Sequence, residues 1–248
     1  MIQKMEIKTI GSGSSGNSYI IDDGHTKILI ECGMPFSKIQ SACNYALSSI
    51  SGCLVTHCHQ DHCQCAKELA KHAVNVYMSQ GTAEVLSLEG TPNVHCVKAG
   101  KKFRLGTFMV APFLVEHDAP EPLGFCIHSK ITQENLMYFT DTSVINYHFD
   151  EVTHIMAECN YSSEILLERA ERGEISSEFA SRLIKTHMSL EVLKEYLSNI
   201  DKRHLRQIYL LHMSNDNSNE EKFKREIQKV TGVEVYIANP QTRSVTYD

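Results

Sequence analysis

Short apolar runs of five to eight residues recur along almost the whole chain, set apart by turn residues. They read MEIKTI, SYIID, TKILIEC, GCLVT and VNVYM, then FMVAPFLV, LGFCIHS, LMYFT, HIMAEC, QIYLLHM and VEVYIA. Each has the length and the β-branched or aromatic content of a strand. Helical spacing appears between them. DHCQCAKELAKHA sets Ala66, Leu69, Ala70 and Ala73 on one face, and SLEVLKEYLSNI does the same with Leu190, Leu193, Leu197 and Ile200 behind a capping Ser189. SSEILLERAERG opens at a serine pair and closes at Gly173. Strands fill the first part of the chain and the middle, and long helices come late. This predicts an α+β chain of two packed sheets with helices outside, not a regular βαβ alternation. At 248 residues the expectation is one domain spanning 1–248. The Gly/Ser run of residues 11–16 is too short for a linker and reads as a loop between strands.

Composition narrows the setting. Hydrophobic residues at 42% and charged residues at 22% are ordinary for a soluble globular protein. No stretch approaches the roughly 20 apolar residues of a membrane helix, and MIQKMEIKTIGSGSSGNS lacks a signal-peptide core, so a cytoplasmic location is expected. Nine cysteines, an odd number scattered from Cys32 to Cys159, read as reduced thiols. A net charge of -6 argues against indiscriminate nucleic-acid binding and leaves room for a local basic groove.

The chemistry concentrates in THCHQDHCQC, residues 56–65. The strand-like CLVT precedes it and a helix follows, so His57, His59, Asp61 and His62 fall on a strand-to-helix loop. Imidazole and carboxylate are the ligands of an open, catalytic zinc-type site. His57 and His59 alternate by two and project to one side of extended backbone, while Asp61 and His62 turn with the chain toward a second ion. Cys53, Cys58, Cys63 and Cys65 offer a competing thiolate set. Cys58 alternates away from the histidines, however, and Cys63 and Cys65 are two apart on a helix, so they read as small buried side chains.

The spacing H-x-H-x-D-H after a strand resembles the metallo-β-lactamase superfamily, whose fold is a four-layer αββα sandwich. The resemblance continues down the chain through LVEHDAP, MYFTDTS and IYLLHMSND. It implies two divalent metal ions, one held by His57, His59 and His117 and the other by Asp61, His62 and His212, with Asp141 bridging. Zinc is the expected metal, with manganese or iron as alternatives. The finer resemblance is to the nuclease-like YycJ (WalJ) branch, related to tRNase Z and the PhnP phosphodiesterases. It rests on GSGSSGNSYII, MAECNY and LLHMSNDNS. Through tRNase Z-like enzymes it further implies that His187, in KTHMSLEV, protonates the leaving oxygen while Glu158 orients it. The branch usually reads Gly-His-Leu-Ser where this chain has THMSL.

By that resemblance the activity is phosphodiester hydrolysis, most simply a DNA exonuclease-like nuclease with a metal-bridged hydroxide as nucleophile and Asp61 orienting it. The alternatives are a small-molecule cyclic or nucleotide phosphodiesterase and a non-catalytic metal-binding regulatory protein on the same fold. Nucleic acid is the expected partner, DNA before RNA. Exo against endo cleavage and the oligomeric state stay open. Two accessory features carry two readings each. The Gly/Ser loop is either a tight turn or, near Asn17, a phosphate contact. The basic groups KKFR, RLIK and DKRHLR are either solvated faces or, for Arg182 and Lys185 ahead of His187, a substrate contact. The segment 168–185 between the Glu158 and His187 motifs has the position of a lid.

Overall fold

The apolar runs become strands where their faces are buried, and the chain divides into two compact units. The computed structural model describes residues 3–242, so both ends of the expected 1–248 span lie outside the described residues.

The first unit holds residues 3–114, 119–135 and 238–242. Its elements are β1 (Glu6–Gly11), β2 (Ser18–Asp22), β3 (Lys27–Ile30), α1 (Phe36–Ala42), β4 (Ile50–Leu54), α2 (Gln60–Cys63), α3 (Ala66–Lys71), β5 (Val76–Met78), α4 (Gln80–Val85), β6 (Val94–Cys96), β7 (Phe103–Leu105), β8 (Phe108–Leu114) and β9 (Leu123–Ser129). Strands β1 to β6 pair in chain order, antiparallel as far as β3 and parallel from β3 onward. β7, β8 and β9 form an antiparallel meander. Leu29, Cys53, Val55, Leu69 and Val76 are fully buried in the core between sheet and helices. The expected helix at 61–73 is in fact two short ones. The backbone N–H of Cys65 donates to the Cys32 carbonyl at 2.9 Å and its thiol to Met34, so tertiary bonds break the helical ladder at Gln64–Cys65. Ala66, Leu69 and Ala70 are buried as expected, but Ala73 lies past the helix end, exposed, with φ 60°.

The second unit holds residues 115–118 and 136–237. It contains β10 (Asn135–Phe139, from Leu136 onward), β11 (His154–Glu158), α5 (Ser163–Glu171), α6 (Ser177–Thr186), α7 (Leu190–Asn199), β12 (Gln207–Leu211), α8 (Glu220–Thr231) and β13 (Glu234–Ile237). Strands β10 to β13 are parallel and paired in order. β11 and β12 are buried along their whole length, as apolar parallel strands should be. Ser189 caps α7 by accepting from the Val192 N–H, with Leu190, Leu193 and Leu197 buried. Gly173 takes the left-handed conformation just past α5, at φ 71°. Among the described residues no helix is long and apolar enough to cross a membrane.

In both units the chemically interesting side chains follow strand ends. Glu31 after β3, Asp141 after β10 and His212 after β12 all sit in the left-handed region, at φ 62°, 48° and 49°. Non-glycine residues are uncommon there, and such backbone costs of order 1–3 kcal/mol, which the surrounding structure must hold.

Candidate functional site

In the first unit, β4 delivers the histidine loop and β3 delivers its support. Glu31 is fully buried, and Thr56 donates its hydroxyl proton to Glu31 Oε1 at 2.6 Å. With that proton committed, Thr56 Oγ1 accepts from His57 Nδ1 at 2.9 Å, which leaves His57 Nε2 as a lone pair. That nitrogen lies 3.1 Å from His59 Nδ1. Two ligands of one tetrahedral ion at ~2.05 Å stand about 3.3 Å apart, so the pair has metal-sharing separation. The second pair is His62 Nε2 and Asp61 Oδ2 at 3.3 Å, with His62 Nδ1 turned to Glu31 Oε1 at 3.4 Å. One buried carboxylate thus backs both imidazoles.

The Gly/Ser loop belongs to the same support. Asn17 closes it by accepting from the Gly13 N–H at 2.9 Å, and its N–H donates to the Asp61 carbonyl at 2.8 Å. Its side-chain amide lies 3.2 Å from His62 Nε2. A Cβ at Gly33 would stand 1.6 Å from the Asp61 carbonyl oxygen, so only glycine admits this approach of the β3 exit to the histidine loop. Cys63 and Cys65 are engaged elsewhere. Cys63 donates to the carbonyls of Cys58 and His59, both at 3.2 Å. Burial drives the Cys63 thiol far above its ordinary pKa and that of Cys65 up to about 12, so neither is a thiolate.

In the second unit, Asp141, Glu158, His187 and His212 offer ligand-type atoms all within 4.8 Å of one another. Glu158 is fully buried and accepts from four N–H groups. His187 Nδ1 at 2.6 Å and His212 Nδ1 at 3.2 Å reach Oε1, and the backbone amides of Thr142 and Met188, both at 3.1 Å, reach Oε2. A carboxylate has about four lone-pair positions, so these four N–H groups fill them. Burial alone would raise its pKa, but His187 and the hydrogen bonds outweigh burial and the nearby Asp141, and the group is held below the carboxylate norm. Burial likewise opposes charge on His187, yet Glu158 and Asp141 prevail and its pKa is raised. Both imidazoles give Nδ1–H away and present Nε2. His117 does the same by donating Nδ1–H to the Thr186 carbonyl at 3.2 Å, while its Nε2 lies 3.8 Å from Asp141 Oδ2.

Sequence reasoning named the nine candidate residues but not Glu31, Thr56 or Thr142, which hold them. The available signal for Glu31 was a lone acid closing the apolar run KILI.

The profile of the Beta-lactamase superfamily domain matches residues 26–213. The exodeoxyribonuclease YycJ of Bacillus anthracis is 25% identical over 239 residues, covering 91% of this chain and 89% of that protein. The exodeoxyribonuclease WalJ of Streptococcus pneumoniae is also 25% identical, over 86% of this chain and 82% of its own length. The metallo-β-lactamase fold protein YhfI of Bacillus subtilis superposes with a TM-score of 0.72 at 14% identity, covering 98% and 100% of the two chains. Zn(2+)-bound PqqB from Methylobacterium extorquens gives the same four values. The mixed α/β, two-sheet architecture is therefore that of the metallo-β-lactamase fold, as the sequence resemblance implied, and the chain belongs to the Beta-lactamase superfamily domain family.

Proposed function

We propose that this chain is a dinuclear-metal-dependent phosphodiester hydrolase acting in the cytoplasm on nucleic acid, DNA before RNA. The observation that carries the reading is the buried Glu158 carboxylate 2.6 Å from His187 Nδ1. A metal-binding module has no use for a carboxylate-oriented imidazole, whereas expulsion of an alkoxide from phosphorus needs a proton donor. The two relatives at 25% identity, both called exodeoxyribonucleases, support the substrate class. Nine free thiols suit a reducing compartment.

Following the family resemblance, His57, His59 and His117 are assigned to one ion, Asp61, His62 and His212 to another, and Asp141 to both. The mixed imidazole and carboxylate set fits zinc, with manganese and iron also acceptable. When bound, such ions supply a water of lowered pKa and charge stabilisation for the phosphoryl oxygens. The protein's own groups do the rest. Asp61 orients the attacking water. Glu158 fixes the His187 ring through Nδ1–H and sustains its protonated form, and His187 Nε2 releases a proton to the departing oxygen.

The test is an assay of the metal-loaded protein on single- and double-stranded DNA, RNA and bis-p-nitrophenyl phosphate. Cleavage of polynucleotide, DNA above RNA, is expected. Turnover of the small diester alone would move the small-molecule phosphodiesterase ahead.

A further inference from the structure

Beside His117 in the second unit runs a groove of about 570 Å3 along α6, large enough for a nucleotide unit. Glu116, His117 and Asp118 form one wall, and Glu178, Arg182 and Lys185 line the other. Glu178, Arg182 and Lys185 recur at helical spacing and share one face of α6.

The charges in this groove are unevenly committed. Glu178, at the start of its own helix, accepts from the Ser177 hydroxyl at 3.3 Å. Glu116 accepts from Asn146 at 3.4 Å. Asp118 lies 3.3 Å from His117 Nε2 and reaches Arg182 only at 3.9 Å, a loose pair in which the arginine side chain is 75% exposed. Lys185 is exposed and has no carboxylate partner among the described residues. Two cations thus remain available to an anion, on a helix that runs directly into His187.

A diester with one phosphate, such as bis-p-nitrophenyl phosphate or a cyclic mononucleotide, gives that phosphate to the reacting centre. A polynucleotide brings a second phosphate to lay along α6. We infer that Arg182 and Lys185 bind a non-scissile phosphate flanking the cleaved bond, and so make the site favour polynucleotides over diesters with one phosphate. This deepens the proposed function and rests on its phosphodiester reading.

The experiment compares the full-length, metal-loaded protein with an R182Q/K185Q variant. Both positions are exposed, and an unchanged melting temperature verifies the fold. Anisotropy of a labelled single-stranded oligonucleotide, as DNA and as RNA, is read across salt concentrations. The kcat and KM are measured on the same oligonucleotide and on bis-p-nitrophenyl phosphate. The variant is expected to bind the oligonucleotide about 10-fold or more weakly. Its dependence of log Kd on log salt flattens by about 0.7 per lost phosphate contact. KM rises on the oligonucleotide, and both constants on the small diester stay as they were. Unchanged oligonucleotide binding and salt slope, or an equal loss on both substrates, would overturn the subsite. Absence of turnover by the wild type counts instead against the hydrolase reading, and the binding comparison still decides the subsite.

Discussion

Replacing His187 with alanine lowers kcat on an oligonucleotide by about 10²- to 10⁴-fold, the usual contribution of a general acid, and leaves metal content unchanged. The loss is smaller on bis-p-nitrophenyl phosphate, because nitrophenolate departs without needing a proton. The ionisation pattern adds a second signature. Glu158 and Asp141 outweigh burial and raise the His187 pKa, so its acid form persists to higher pH than that of a free imidazole. Activity that needs this proton falls as pH rises through the raised pKa, and H187A removes that alkaline limb. Metal analysis by mass spectrometry and a pH profile on both substrates check the prediction. Loss of an ion in step with activity would make His187 a ligand, a role open to it because it lies with Asp141 and His212 within 4.8 Å.

Gly33→Ala tests the support of the histidine loop and not the proton donor proposed at His187. The new methyl would meet backbone, at 1.6 Å from the Asp61 carbonyl oxygen, 2.0 Å from its carbon and 2.7 Å from the His62 nitrogen. The same stretch of backbone is also pinned by hydrogen bonds. Asn17 N–H donates to the Asp61 carbonyl and Cys32 N–H to the His62 carbonyl, both at 2.8 Å. No flexible side chain can yield, so the loop must move as a piece. Overpacking of this kind costs about 1–3 kcal/mol or more. The variant is expected to melt several degrees lower and to lose the ion assigned to Asp61 and His62. A variant with wild-type melting temperature and full metal content would show that the approach of Gly33 to the loop is dispensable.

The candidate residues were more legible in the sequence than the groups that support them. H-x-H-x-D-H, LVEHDAP, MYFTDTS, MAECNY, THMSL and IYLLHMSND are short local patterns, each placing its reactive side chain at or just past an element end. Glu31 was invisible as a functional residue because it reads as one more residue of TKILIEC. Its importance comes from the left-handed turn at φ 62°, from the hydrogen bond it accepts from Thr56 and from its 3.4 Å approach to His62 Nδ1, residues that lie 25 and 31 positions away. The helix break at Gln64–Cys65 was hidden for the same reason. Its cause is a bond to Cys32, which local spacing cannot report. Asn17 is an intermediate case. The Gly/Ser run marked a turn, but only the structure shows that the turn is tied to Asp61 and His62.

On the proposed function, hydrolysis depends on two ions assigned to the His/Asp set. The most direct measurement strips the wild-type protein with a chelator and titrates zinc or manganese back. Bound metal per chain and cleavage of a single-stranded DNA oligonucleotide are followed together. No cleavage is expected in the stripped protein, with recovery that reaches its plateau as two equivalents bind. Cleavage that survives complete metal removal, or two equivalents bound with no phosphodiester turned over, would contradict the proposed function.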